Sequence, residues 1–287
     1  MDLSSLLDVL SIIIQLIFLE GILSIDNAAV LGAMVSPLPH DQPVPYPRAL
    51  KFLQSFTDRY LGMQQSAALK VGLLGAYVGR GLMLMLAAWV IRNPVLHLLG
   101  ALYLIKLAFG YLSGEDEDEE EGALPLNQTS TFWMVVLNVE LADLAFSLDN
   151  VVAAVALSDH IAVVMLGVAI GILIMRFAAG IFAWLIRREP SLATGAYLVV
   201  LNIGVELLLA EFWGIEIGAW TKFAISVMTL LLCVLYARLK PLPVLSPLFS
   251  GIARGMGWAN RVVNLLFLPL GWLLRNVVHL LTPQVVD

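Results

Sequence analysis

Two short segments of the chain carry the same polar residues in the same order. Glu20-Gly-Ile-Leu-Ser24-Ile-Asp26-Asn27 lines up with Asp143-Leu-Ala-Phe-Ser147-Leu-Asp149-Asn150 at a constant offset of 123 residues (Glu20 to Asp143, Asp26 to Asp149). Acid, serine, acid and amide all coincide. Carboxylate, hydroxyl and amide oxygens are hard donors, suited to Mn²⁺, Ca²⁺ and Mg²⁺ rather than to Zn²⁺ or Cu⁺. No Cys or His stands near either segment: His40, His97, His160 and His279 fall in loops, at span ends or in the tail. Within each segment the two acids are six residues apart, about 240° around an ideal helix. They share a ligand only if the helix opens between them. The small residues Gly21, Ser24, Ala142 and Ser147 predict such a break, and opened backbone would add carbonyl ligands. Glu140, Asp143 and Ser147, at i, i+3 and i+7, share one helical face as they stand.

The elements that must position these residues are membrane spans. Of 287 residues, 60% are hydrophobic and only 13% charged, about half the charge of an ordinary soluble domain. Cys233 is the only cysteine, which excludes a disulfide scaffold. With 16 basic against 22 acidic residues and no basic stripe, nucleic acid is not an expected partner. A spanning helix needs about 20 mostly apolar residues. Seven stretches qualify or nearly do: 6–36, 69–91, 95–112, 131–157, 161–186, 192–209 and 217–238. The first is too long, and its start too poor in basic residues, for a cleavable signal peptide. The first and fourth exceed a straight span, which again predicts helices that break and restart. The stretch 262–281 is interrupted by Pro269 and Arg275. It reads as an interfacial amphipathic segment, with an eighth span as the alternative.

A second match extends the repeat. Arg80 and Arg176, Gly75 and Gly171, Arg92 and Arg188, and Pro94 and Pro190 all pair at an offset of 96. The two offsets differ because the Pro-rich stretch at about 40–66 is an insertion. Spans 1–3 and 4–6 are then two copies of one unit. Three is odd, so the second copy is expected to be inverted, a recurring plan of secondary transporters with the ion site near the midplane. The chain divides accordingly: a first three-helix repeat (1–115), an acidic loop (116–130), a second repeat (131–210), a seventh span (211–240) and an interfacial tail (241–287).

Each ionised side chain at a helix centre costs about 2.5–3.5 kcal/mol on insertion scales. Spans 1 and 4 nevertheless hold Glu20, Asp26, Glu140, Asp143 and Asp149, against Arg80 and Arg176 in spans 2 and 5. Five carboxylates against two guanidiniums leave an excess that a cation or protons must balance. Glu206 in span 6 is a further candidate, as a proton site or a residue near the outer surface. The glycines of spans 2 and 5 (Gly72, Gly75, Gly79, Gly167, Gly171) have the spacing of close helix packing and predict no chemistry of their own.

Loop charge sets the orientation. Eleven Lys and Arg residues lie in loop 1–2, loop 5–6 and the tail, against Arg92 alone on the other side. The N-terminus is expected outside and the C-terminus in the cytoplasm, which puts the acidic run Glu115 to Glu121 on the cytoplasmic side. That run reads as a solvated linker, or as a weak collector of cations.

At its two acid motifs the chain resembles the TerC family of integral membrane proteins. The segments Glu20-Gly-Ile-Leu-Ser24-Ile-Asp26-Asn27-Ala and Asp143-Leu-Ala-Phe-Ser147-Leu-Asp149-Asn150-Val carry the likeness, over roughly 6–36 and 69–238. The resemblance implies the wider LysE-type exporter superfamily, manganese export, and a functional role for Glu20, Asp26, Asn27, Asp143, Asp149 and Asn150. TerC-like proteins are also linked to tellurite resistance and to membrane-protein assembly in photosynthetic membranes. The insertion around 40–66 and the tail after 240 depart from the usual pattern.

The sequence therefore predicts an all-α polytopic membrane bundle that transports a divalent cation, foremost by Mn²⁺ export, with Ca²⁺ as the other option and exchange for protons as a coupling. Ser24, Ser147, Glu140, Arg80, Arg176 and Glu206 stand in supporting positions. Membrane lipid and divalent cations are the expected partners, a homo-oligomer is an option, and no organic cofactor is called for. The membrane is a bacterial plasma membrane or one of thylakoid type. The rival reading is an assembly or insertion factor whose acids pair with the arginines for the fold. An enzyme is not expected, since no Ser–His or His-rich arrangement supports an intramembrane hydrolase.

Overall fold

The computed structural model describes residues 3–18, 20, 24–46, 60–113, 128–157 and 160–238. The acidic run 115–121 and the tail 241–287 lie outside the described residues, so the readings of a solvated linker and of an interfacial segment rest on sequence alone. Nine helices appear among the described residues: α1 Leu3–Ile17, α2 Ile25–Val35, α3 Gln64–Met85, α4 Ala87–Val90, α5 Pro94–Ser113, α6 Gln128–Leu157, α7 Ile161–Arg188, α8 Ser191–Trp213 and α9 Ala219–Arg238. No strand occurs among them beyond one isolated bridge between Pro43 and Met63. Five helices (α3, α5, α7, α8 and α9) are long and apolar enough to cross a membrane. At 30 residues α6 is long enough too, reaching about 45 Å, but it carries Glu140, Asp143 and Asp149.

The first apolar stretch is divided between α1 and α2, and residues 21–23 between them lie outside the described residues. Helix α1 ends at Ile17, and Ser24 has left helical geometry (φ −91°, ψ 28°) at the head of α2. The fourth stretch does not break. α6 runs through Asp143 and Asp149 without interruption, which corrects the expected opening there. Two local facts account for it. Leu144 stands where the first motif has Gly21, so no glycine weakens the turn. The Ser147 hydroxyl donates to the Asp143 carbonyl at 2.6 Å, a bond within the helix rather than a competitor to it.

Helix pairing follows the small residues. α5 packs on α8, where a Cβ on Gly204 would lie 3.1 Å from the Ala101 carbonyl oxygen. Tyr111 stacks on Tyr197 with ring centroids 3.9 Å apart, and the His97 ring lies 2.9 Å from Glu211. The numbers rise on one helix as they fall on the other, so the pair is antiparallel. α1 and α2 pack along α7, with Leu16 against Gly167 and Phe182 against Gly32, and this pair is parallel. α6 packs along α3 in the same sense, with Leu144 against Gly79.

The ends of the insertion are part of the structure. Gln64 donates its backbone N–H to the Gln42 carbonyl (3.0 Å) and its side-chain amide to the Pro43 carbonyl (3.1 Å). Trp133 donates to the Pro45 carbonyl (3.2 Å) from α6, while Leu38 and Val44 are buried. Trp89, Trp213 and Trp220 are exposed near helix ends, as interfacial aromatics are. Gly214 closes α8 in the left-handed region (φ 63°), its N–H donating to the Ala210 carbonyl at 3.1 Å.

Candidate functional site

Charged residues of α3, α6 and α7, with Glu20 from between α1 and α2, meet in one chain of alternating sign that is buried but for Glu140 at its end. Glu20 ion-pairs with Arg80 through Oε2 and Nη1. Arg80 also donates Nε–H to Ser147 Oγ (2.7 Å) and reaches Asp143 Oδ1 with Nη2 (3.5 Å). Asp143 Oδ2 lies 3.7 Å from Arg176 Nη2, which lies 3.7 Å from Glu140 Oε1 and donates to the Gly72 carbonyl (2.8 Å). The order is Glu20, Arg80, Asp143, Arg176, Glu140. All five ionised, the chain carries one net negative charge. Glu20, Arg80, Asp143, Ser147 and Arg176 are buried, and buried charge persists only when paired.

Its two ends are bonded differently. Around Arg80 the contacts are hydrogen bonds. Around Arg176 charges face one another at 3.7 Å, and Glu140 Oε1, Asp143 Oδ2 and Arg176 Nε and Nη1 are buried without a hydrogen-bond partner. Opposite charges at that separation attract strongly in a low dielectric, yet the oxygens keep lone pairs uncommitted.

The glycines read from the sequence as packing alone turn out to serve this cluster. A Cβ on Gly75 would lie 2.0 Å from Glu140 Oε2, and one on Gly72 would lie 2.8 Å from Glu140 Oε1. A Cβ on Gly171 would lie 2.4 Å from the Glu20 Cβ. Gly75 and Gly171, equivalent in the repeat, each clear space for an acid from the other half of the chain. Gly79 and Gly167 do pack against leucines, as expected.

Asp26 stands apart from this chain. It sits in the first turn of α2, buried, with Oδ1 accepting the Asn27 backbone N–H (2.8 Å) and Oδ2 accepting the Ser226 hydroxyl of α9 (3.1 Å). Glu206 on α8 is buried and its Oε1 lies 2.6 Å from Lys222 Nζ, one turn before Ser226. Ser24 and Asn27 are buried beside Asp26 in sequence. Asp149 and Asn150 have their backbone in α6, two turns beyond Asp143, and their side chains lie outside the described residues. Among the described residues no three His, Cys, Asp or Glu side chains converge as a metal-holding group. Guanidiniums separate the acids instead.

Lys222 and Ser226 are the residues that sequence reading missed. Their signal was available, a lysine and a serine at i and i+4 in an apolar span. Lys222, three residues from the start of α9, passes for an interfacial lysine when its partner on α8 is unseen.

Comparison with known proteins agrees with the motif likeness. The Integral membrane protein TerC family profile matches residues 52–241, a stretch that holds Arg80, the second acid motif and Arg176 and leaves out the first motif. The chain is 34% identical over 203 residues to the uncharacterized membrane protein YceF of Bacillus subtilis, covering 69% of this chain and 70% of that one. It is 33% identical over 225 residues to the uncharacterized membrane protein YkoY of the same organism, covering 73% and 63%. A UPF0053 inner membrane protein of Escherichia coli K12, YgdQ, is 32% identical over 212 residues, covering 69% and 79%. No solved structure matches. With the family profile covering more than half its length, and with membrane-protein relatives more than 30% identical, the chain belongs to the TerC family of integral membrane proteins.

Proposed function

We propose that this TerC-family protein is a divalent-cation transporter, with Mn²⁺ export as its activity and Ca²⁺ as the competing cargo. The observation that carries the reading is the buried chain Glu20–Arg80–Asp143–Arg176–Glu140, together with further buried carboxylates at Asp26 and Glu206. Acids at membrane depth in excess of their guanidinium partners mark ion pathways. The TerC family is linked to ion transport, and membership of the wider LysE-type exporter group is part of the same reading.

In this mechanism Glu20, Asp26, Asp143 and Asp149 supply carboxylates to a site between the motifs, and Asn27, Asn150, Ser24 and Ser147 supply neutral oxygens. Arg80 and Arg176 neutralise the carboxylates in the step without cargo. The uncommitted oxygens of Asp143 and Glu140 favour entry of the ion from the Arg176 side. Protons are the natural counter-ion, since a coordinating carboxylate must first be deprotonated. Helix pairing supports a seven-span plan of two inverted repeats. The equivalent helices α5 and α8 lie antiparallel, α1–α2 with α7 and α6 with α3 form exchanged parallel pairs, and Arg80–Glu20 in one copy has its counterpart in Arg176–Asp143 in the other. Rocking one copy against the other would expose the site alternately to each side. The N-terminus would face outward and the C-terminus the cytoplasm.

The same ion pairs favour a second reading, an assembly factor whose acids serve only the fold. Cells expressing Asp26→Asn or Asp149→Asn separate the two. A transporter loses Mn²⁺ tolerance while the protein accumulates normally; an assembly factor loses protein, with activity per molecule retained.

A further inference from the structure

The least buried of the five span-length helices, α9, makes polar contacts with two buried acids. Of α9, only Ser226 and Leu230 are buried. Lys222, Ser226 and Leu230 are spaced by four and form one stripe facing the bundle, and Cys233 extends it, its Cβ lying 3.3 Å from the position a Cβ would take on Gly195. The far half of that stripe is apolar packing on α8. The near half is polar, and each of its two groups meets a different buried acid: Lys222 meets Glu206 of α8 at 2.6 Å, and Ser226 meets Asp26 of α2 at 3.1 Å. A peripheral helix needs neither contact to pack in lipid, where close apolar fit suffices.

Arg80 and Arg176 do not serve these acids. A lysine differs from them in being a compact ammonium on a flexible stem, without the planar fork that fixes an arginine to its carboxylate. Its side chain is 26% exposed, against 2% for Arg80, so it can withdraw without being stranded.

We propose that Lys222 is a built-in competitor cation: its ammonium holds the carboxylate of Glu206 and draws α9 onto Asp26 between transport events, and the divalent cation displaces it on binding. This rests on the transporter reading above and adds to its acids Glu206, reached from the same helix as Asp26, and a helix that moves when cargo binds there. No covalent chemistry is involved. Cargo and lysine exchange at the Glu206 oxygens, so that carboxylate always has a cation beside it.

The test uses the purified full chain in lipid nanodiscs and Mn²⁺ as the probe, followed by the paramagnetic signal of free Mn²⁺. Lys222→Met removes the competitor and is expected to bind Mn²⁺ about tenfold more tightly than wild type, whereas Lys222→Arg stays tight to Glu206 and binds no better than wild type. A folded Lys222→Met protein with unchanged or weaker binding overturns the proposal. Amine labelling of wild-type protein gives an independent measure that needs no variant. Saturating Mn²⁺ should raise the modification of Lys222 severalfold, with the exposed Lys70 as the internal reference; unchanged labelling of Lys222 with Mn²⁺ bound overturns it as well. A wild-type protein that binds no Mn²⁺ removes the transporter reading, and the competitor role falls with it.

Discussion

Carboxylates inside this protein are neutralised in two ways, and the contrast separates acids held by fixed donors from acids met by an exchangeable one. Glu20, Asp143 and Glu140 are threaded with Arg80 and Arg176 at the centre of the bundle, in space cleared by Gly72, Gly75 and Gly171. Asp26 and Glu206 lie under α9 and are met by a hydroxyl and a flexible ammonium. The first arrangement uses planar donors fixed by several contacts and shaped by missing side chains. The second uses one contact per acid from the outermost described helix. In the transporter reading, fixed pairing suits acids that give up their arginines only to cargo, and a flexible ammonium suits the acid at which cargo replaces protein first.

The contrast breaks most visibly at Arg80. Arg80→Met leaves Glu20 and Asp143 buried with their shared partner gone, a change that costs about 3–5 kcal/mol at a buried ion pair. The protein is expected to lose most of its accumulation in the membrane, read by quantitative immunoblot, and normal accumulation would show that Arg80 is not structural. Gly171→Ala comes next. Its new Cβ meets the Glu20 Cβ, which has little freedom to retreat, so the cost should be about 1–3 kcal/mol. Gly75→Ala meets only the carboxylate end of Glu140, which can swing aside, and should be the milder of the two in thermal denaturation.

Smaller still is the stability effect of Asp26→Asn. The amide oxygen can accept from the Ser226 hydroxyl or from the Asn27 N–H but not from both, so stability should fall by about 1 kcal/mol while Mn²⁺ handling is lost. Equal loss of stability in Arg80→Met and Asp26→Asn would erase the distinction between the tightly held and the readily exchanged acids.

Much of this was legible in the sequence. Apolar length placed the helices to within a few residues, as with 95–112 against Pro94–Ser113 and 192–209 against Ser191–Trp213. The self-match picked out Glu20, Asp143, Arg80 and Arg176, which do converge. What the pattern could not carry was partner choice across helices. Asp26 and Asp143 are both motif acids, yet one faces α9 and the other an arginine pair, and neither partner is written in the motif itself. The continuity of α6 was hidden for a different reason. The motifs agree in their polar residues but differ at Gly21 and Leu144, and the apolar position decides whether the helix opens. Gly75 and Gly171 were legible as small residues, but what fills the space beside a glycine is a property of the neighbouring helix.

The central claim is transport, and flux through the purified protein tests it most directly. Full-length protein reconstituted in liposomes with an Mn²⁺-quenched dye inside should admit Mn²⁺ faster than protein-free liposomes. Asp26→Asn protein, incorporated to the same level, should fall to the protein-free rate. Lowering the pH should slow the wild-type flux at a fixed Mn²⁺ concentration, because protonated carboxylates do not coordinate metal. Wild-type liposomes that quench no faster than empty ones would contradict the account, and so would Asp26→Asn liposomes that quench as fast as wild type.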